Sequence, residues 1–234
     1  MALQPDRPTR FGEGLAAALP IALGYLPIAF SFGVAATRSG LTETEAFGMS
    51  ALIYAGAAQF LALQLLSAGT PLLAVAATLV AMNLRHLIYA PALMKRAGGK
   101  AGPLSLIWGS GLTDEVFGAA LGAQARGRRF SEPFMLGLAT GAYAAWLTGT
   151  ATGAWAGGAA LERWPVLDAA LGFTLPALFL ALLLSILNRA QLPVIALAAL
   201  VTAGVSLAVS PSAGILSGMV AGAAVGLFRR PDAR

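Results

Sequence analysis

Two windows of 39 residues, Ala46–Leu84 and Ala190–Phe228, contain no Asp, Glu, Lys or Arg. A water-soluble domain has no way to cover stretches of that length, whereas a bilayer accepts one helix per ~20 apolar residues. Each window is long enough for two spans and carries a helix-breaking turn near its middle. These turns are Ser67-Ala68-Gly69-Thr70-Pro71 and Ser210-Pro211-Ser212. Gly14–Thr37 and Pro133–Leu161 are also uncharged. Two more apolar segments carry isolated acids: Pro103–Ala125, with Asp114 and Glu115, and Pro165–Asn188, with Asp168 near its start.

Eight hydrophobic segments result: 14–37, 46–67, 71–94, 103–125, 133–158, 166–188, 191–209 and 211–228. They predict an all-α, polytopic membrane bundle, a single transporter-like domain behind a polar tail at 1–13. Composition agrees: 11% of the residues are charged and 58% hydrophobic, against about 25% charged in a soluble domain. Disorder and a soluble enzyme are excluded. The net charge of +5 sits in short clusters between apolar stretches, which is a topology signal and not a nucleic-acid surface. With no cysteine, a disulfide framework and a thiolate metal site are impossible, and no cofactor or metal is expected. The N-terminal stretch does not read as a signal peptide, because Asp6, Arg7, Arg10 and Glu13 precede a full-length span.

The two halves, about 14–125 and 133–228, look related. Pro71–Ala77 resembles Pro193–Ala199, and Phe60–Leu63 matches Phe179–Leu182, at offsets of 122 and 119 residues. Internal repeats of this kind build many secondary transporters, with the substrate near mid-membrane. If all eight segments crossed, Lys95/Arg96/Lys100 and Arg126/Arg128/Arg129 would lie on opposite sides, against the positive-inside rule. A 103–125 segment that dips in and returns puts both clusters in the cytoplasm. The preferred topology is therefore about seven crossings (six to eight), with the N-terminus outside, the C-terminus inside and the repeats inverted.

Four constellations could carry chemistry. In Asn83-Leu84-Arg85-His86, an arginine inside a bilayer costs about 2.5–3.5 kcal/mol on insertion scales and calls for a partner. His86, the one histidine of the chain, has an unperturbed pKa near neutrality. The bland alternative is that Arg85 snorkels to the interface while His86 packs as a satisfied polar residue. Asp114 and Glu115 cannot both be ionised cheaply without cations. A buried cluster with Arg85 and His86 follows, one carboxylate pairing with Arg85 and the other exchanging a proton; a wetted turn between two half-helices is the alternative. Gln59, three residues after Gly56, would either hold a zwitterionic substrate or join two helices. Pro20 and Pro27, with Gly24 between them, either break the first helix and expose N–H groups to a carboxylate or simply kink it. Thr148, Thr150 and Thr152 are expected to line the same cavity. Gly214, Gly218, Gly222 and Gly226 form an every-fourth-residue packing ladder, and Gly149, Gly153 and Gly157 repeat the device.

Three of these motifs, in this order on hydrophobic segments, resemble the AzlC/YgaZ family. They are Gly56-Ala57-Ala58-Gln59-Phe60, Asn83-Leu84-Arg85-His86 followed by Tyr89, and Leu112-Thr113-Asp114-Glu115. Pro20 through Gly33 and Gly40 through Ser50 also fit. The similarity is strongest over residues 14–120 and weak beyond 160, and Ala90-Pro91 departs from the family pattern, where a serine is expected. The resemblance implies the large subunit of a two-component exporter of branched-chain amino acids in the bacterial inner membrane. Its partner would be a small AzlD/YgaH-type membrane subunit. Gly109-Ser110-Gly111 with His86 leaves an intramembrane hydrolase as an alternative, and a passive channel is the other.

Overall fold

The computed structural model describes residues 10–97, 102–128, 130–156 and 191–228, together with isolated positions between 164 and 189. Most of the expected 166–188 segment, with Asp168, lies outside the described residues, as do Lys100, Arg129 and Gly157. Among the described residues all regular structure is helical. The chain divides into two units, Met1–Phe60 with Asn83–Leu175 and Leu61–Met82 with Pro176–Arg234.

The first unit is organised around α1 (Phe11–Arg38) and α8 (Glu132–Ala156). At 28 and 25 residues they extend about 42 and 37 Å, more than a ~30 Å hydrocarbon core requires. Small residues let their backbones touch. A Cβ on Gly14 would strike the Phe134 carbonyl, one on Gly33 that of Thr150, and one on Gly153 that of Phe30; Gly141 faces Ala18 and Gly149 faces Ala29. Glycine at 137, 141, 149 and 153 on α8 thus continues one four-residue stripe. We predict that Gly153→Ala, which puts a methyl group onto a carbonyl with no room to yield, lowers stability by about 1–3 kcal/mol. Thermal melting of the purified protein in lipid nanodiscs measures this.

These pairings also fix direction. Low-numbered α1 residues meet low-numbered α8 residues, so the two helices run parallel. They open the two suspected halves, and parallel openings are the relation of a parallel repeat, not the inverted repeat expected. Pro20 and Pro27 do not break α1, which runs through both. Both lie on exposed positions, off the α8 face, where a lost helical hydrogen bond disturbs no packing.

The segment expected as a span over 46–67 is a hairpin instead. A capping box starts α2 (Glu43–Ile53): the Thr42 hydroxyl accepts the Glu45 amide, and the Glu45 carboxylate accepts the Thr42 amide at 2.8 Å. That amide first, and then the Thr42 hydroxyl, hold the exposed Glu45 carboxyl below its ordinary range. At Tyr54 the backbone turns left-handed, φ 39°, and α3 (Gly56–Ser67) heads back. Gln59 reaches back to Ser50, and the Phe60 ring meets Phe32 edge-on at 5.4 Å.

The 103–125 segment doubles back as expected, through α6 (Ser105–Ser110) and α7 (Asp114–Ala125). Its start is beside Glu132, which faces Gly102 and accepts the Trp108 indole N–H at 3.2 Å. Its return ends with Arg128 paired to Glu13 at 3.0 Å, at the same end of the α1/α8 pair. The two hairpins therefore enter from opposite ends of that pair. A run of 11 or 12 residues, as in α2, α3 and α7, reaches about 17 Å, roughly half the core. α4 (Leu72–Asn83) and α5 (His86–Ala97) follow. Leu72–Lys95 is long and apolar enough to cross a membrane, as is Phe11–Arg38.

In the second unit, α9 (Leu192–Ala208) and α10 (Pro211–Phe228) pack antiparallel. Gly214 faces Ser206, Gly218 faces Thr202, and Gly222 faces Ala198. Three rungs of the predicted ladder thus have their partner within the chain. The fourth has none among the described residues: a Cβ on Gly226 would meet nothing there.

Candidate functional site

Both hairpins turn near the midpoint of the α1/α8 pair, and α5 begins beside them. Thr113 caps α7, its hydroxyl accepting the Val116 amide at 3.3 Å. The two acids of the first turn of α7, Asp114 and Glu115, thereby sit where the helix N-terminus favours negative charge. Arg85 stands in the two-residue turn between α4 and α5, with Ile88 N–H bonded to its carbonyl.

Arg85 Nη2 lies 2.9 Å from Asp114 Oδ2, and the Tyr89 hydroxyl donates to Asp114 Oδ1. Tyr89 stacks on Phe117 of α7 with ring centroids 4.4 Å apart, fixing α5 against α7. The predicted pairing of Arg85 with one of the two acids is therefore present, and Asp114 is the one. Both partners are near 40% exposed, so the pair is not sealed inside the first unit.

Glu115 is held differently. Tyr25, at the middle of α1, places its hydroxyl 2.6 Å from both Glu115 Oε2 and Thr113 Oγ1. A single phenolic proton serves the stronger acceptor, the carboxylate. Among the described residues no Lys or Arg pairs with Glu115. His86 does not join either acid: its Nδ1 lies 3.1 Å from the Asn83 carbonyl and its ring meets Tyr89 edge-on at 5.3 Å. Asn83 ends α4 and His86 begins α5, so the two do not share one continuous helix. The Ser110 hydroxyl donates to the Ile107 carbonyl within its own turn.

Gln59 takes the helix-joining alternative. It is fully buried; its Nε2 donates to Ser50 Oγ at 2.9 Å, and its Oε1 accepts the Trp146 indole N–H at 2.9 Å. Ser50 continues the chain to Thr150 at 2.7 Å. Both ends of the amide are satisfied by the protein, leaving nothing for a zwitterion. Gly56 provides room for the Trp146 ring. Of the three threonines, only Thr150 faces inward; Thr148 and Thr152 are exposed, and the Thr152 hydroxyl donates to the Thr148 carbonyl at 2.8 Å.

Between the hairpin tips is a cavity of about 340 Å³, lined by Ala51–Tyr54, Ile107, Ser110, Gly111 and, from α8, Leu136, Ala139, Thr140 and Tyr143. Tyr143 donates to the Ala51 carbonyl at 2.8 Å and meets Tyr54 edge-on at 4.8 Å. The Tyr54 hydroxyl is buried without a hydrogen-bond partner among the described residues, a state that costs about 1–3 kcal/mol. The sequence reading missed Tyr25, Tyr54, Tyr143 and Trp146. Tyrosine and tryptophan inside an apolar segment carry a polar tip that must find a partner, and that was the available signal.

The family model described as "AzlC protein" matches residues 20–160, a range that takes in α8 and both hairpins. "Inner membrane protein YgaZ" of Escherichia coli K12 is 43% identical over 223 residues, 94% of this chain and 90% of that protein. An "Uncharacterized membrane protein" of Archaeoglobus fulgidus is 40% identical over 174 residues, 74% of each chain. Another so named, from Helicobacter pylori J99, is 32% identical over 148 residues, 63% of this chain and 64% of its own. No solved structure matches.

Proposed function

Because the chain belongs to the AzlC family and is a protein of the bacterial inner membrane, we propose that it is a secondary transporter exporting branched-chain or other small apolar amino acids. In this reading it is no enzyme. It acts as the large subunit beside a small AzlD/YgaH-type membrane partner, and protons drive it. One observation carries the proposal: two helical hairpins entering from opposite ends bring their tips, a cavity and two acids together at mid-depth. Non-helical backbone is tolerated at that depth only where it lines a cavity or is buried in protein, and transporters place their sites at such breaks.

In the proposed topology α1, α4–α5, α8, α9 and α10 cross the membrane, and the two hairpins enter and return. This arrangement replaces the seven crossings of the sequence reading because 46–67 doubles back. The Glu13–Arg128 pair puts the start of α1 beside a basic cluster, so this end faces the cytoplasm and not the outside. Arg38 then lies on the far side, and Lys95, Arg126 and Arg128 lie on the cytoplasmic side, as the positive-inside rule asks.

In the transport cycle Arg85 neutralises Asp114 permanently. Glu115, with a phenol and, among the described residues, no cation paired to it, is the group that takes up and releases a proton as access to the site alternates. The test is efflux of labelled valine and leucine from proteoliposomes holding both subunits. Efflux accelerated by an imposed pH gradient is expected. Failure to move any small apolar amino acid would remove the function, and a gradient-independent ion conductance would favour the channel reading.

A further inference from the structure

We propose that the cavity between the hairpin tips is the pocket for the apolar side chain of the transported amino acid. Ala51, Leu136 and Thr140 set the side-chain size it accepts. This rests on the transport reading and adds a place and a selectivity determinant to it.

The cavity volume, about 340 Å³, is at the small end of ligand sites, which run from roughly 300 to 1,000 Å³. Its apolar walls come from Leu52 and Ile53 of the first hairpin, Ile107 of the second and Leu136 of α8. Leu52 and Ile53 are the last two residues of α2, so that wall also presents the carbonyl end of a helix, where backbone oxygens lack intrahelical donors and positive charge is favoured. An ammonium group suits that end. Tyr54 lines the same cavity, and its buried hydroxyl has no partner among the described residues. A ligand with one apolar branch and a compact polar head matches this set. An acyl chain would leave the carbonyl end and the tyrosine unsatisfied.

Three positions vary the volume from two sides, Ala51 on the first hairpin and Leu136 and Thr140 one turn apart on α8. Ala51 and Thr140 are small wall residues, and Leu136 is a large one. Ala51→Leu and Thr140→Leu reduce the space, and Leu136→Ala enlarges it. Binding of labelled leucine and alanine, and competition by phenylalanine, are measured by scintillation proximity on the complex in nanodiscs, alongside efflux from proteoliposomes.

Leucine affinity relative to alanine should fall about tenfold or more in each filling variant, the scale of one or two methylenes in a fitted pocket. Leu136→Ala should strengthen competition by phenylalanine. Melting temperatures identify any variant that fails to fold, and the remaining two then decide. An unchanged size order in folded variants overturns the proposal. So does a wild-type complex that binds neither leucine nor alanine, or a lipid found by native mass spectrometry that only the filling variants lose. Size-shifted binding without transport in the wild type would leave the pocket standing and remove the transport reading instead.

Discussion

Arg85→Gln is expected to destabilise the protein by about 3 kcal/mol, and Asp114→Asn added to it should restore most of that loss. The single change removes the cation 2.9 Å from Asp114 Oδ2 and leaves a carboxylate at mid-membrane whose remaining side-chain partner among the described residues is the Tyr89 hydroxyl. A lone charge at that depth costs about 2.5–3.5 kcal/mol on insertion scales. Removing both charges leaves an amide facing an amide, which loses a favourable pair but strands nothing. Asp114→Asn alone should be as damaging as Arg85→Gln, since it strands the guanidinium. Melting of the four proteins in nanodiscs closes a double-mutant cycle, with a coupling energy of several kcal/mol expected. Additive effects would mean that Arg85 is stabilised by water or lipid headgroups, the snorkelling alternative.

That pair was legible in the sequence, and the reason is scarcity. Where charge is expensive, the few charged residues must find each other, so Arg85 could be matched with the acids of 103–125 from composition alone. Which of the two acids it takes was not legible. Asp114 and Glu115 are neighbours, and their roles separate only because α1 brings Tyr25 to one of them, 90 residues away in sequence. The 103–125 hairpin was legible through the distribution of basic clusters. The 43–67 hairpin was not, because its turn has neither glycine nor proline at the decisive position. Tyr54 carries the left-handed backbone, and its ring contact with Tyr143 and the Tyr143 bond to Ala51 hold the turn. Those tertiary contacts leave no local trace. Gln59 is a similar case. Its residue type announced a need for two partners, but Ser50 and Trp146 lie 9 and 87 residues away, so protein and ligand were equally good candidates. Pro20 and Pro27 gave a true local signal that tertiary structure overrode: a missing N–H matters little on a face that packs against none of the described residues.

Glu115→Gln should abolish the response of transport to a pH gradient while leaving exchange of labelled substrate across the membrane intact. The amide keeps the shape of the carboxyl group and can still accept from the Tyr25 hydroxyl, so the contact between α7 and α1 survives. What it loses is the ability to bind and release a proton. A carrier without that group still binds substrate and alternates, and so still exchanges labelled for unlabelled amino acid, but an imposed gradient no longer drives net efflux. Tyr25→Phe supplies the complementary case. It removes the phenolic donor and leaves the carboxylate, so coupling should persist. Because Asp114 is neutralised by Arg85 and Glu115 is not, the two acids must differ in this assay. Asp114→Asn should appear mainly as instability, with gradient sensitivity retained in the fraction that folds. Wild-type coupling in Glu115→Gln would move the proton site elsewhere, and the same loss of coupling in folded Asp114→Asn would show that the two carboxylates act as one unit.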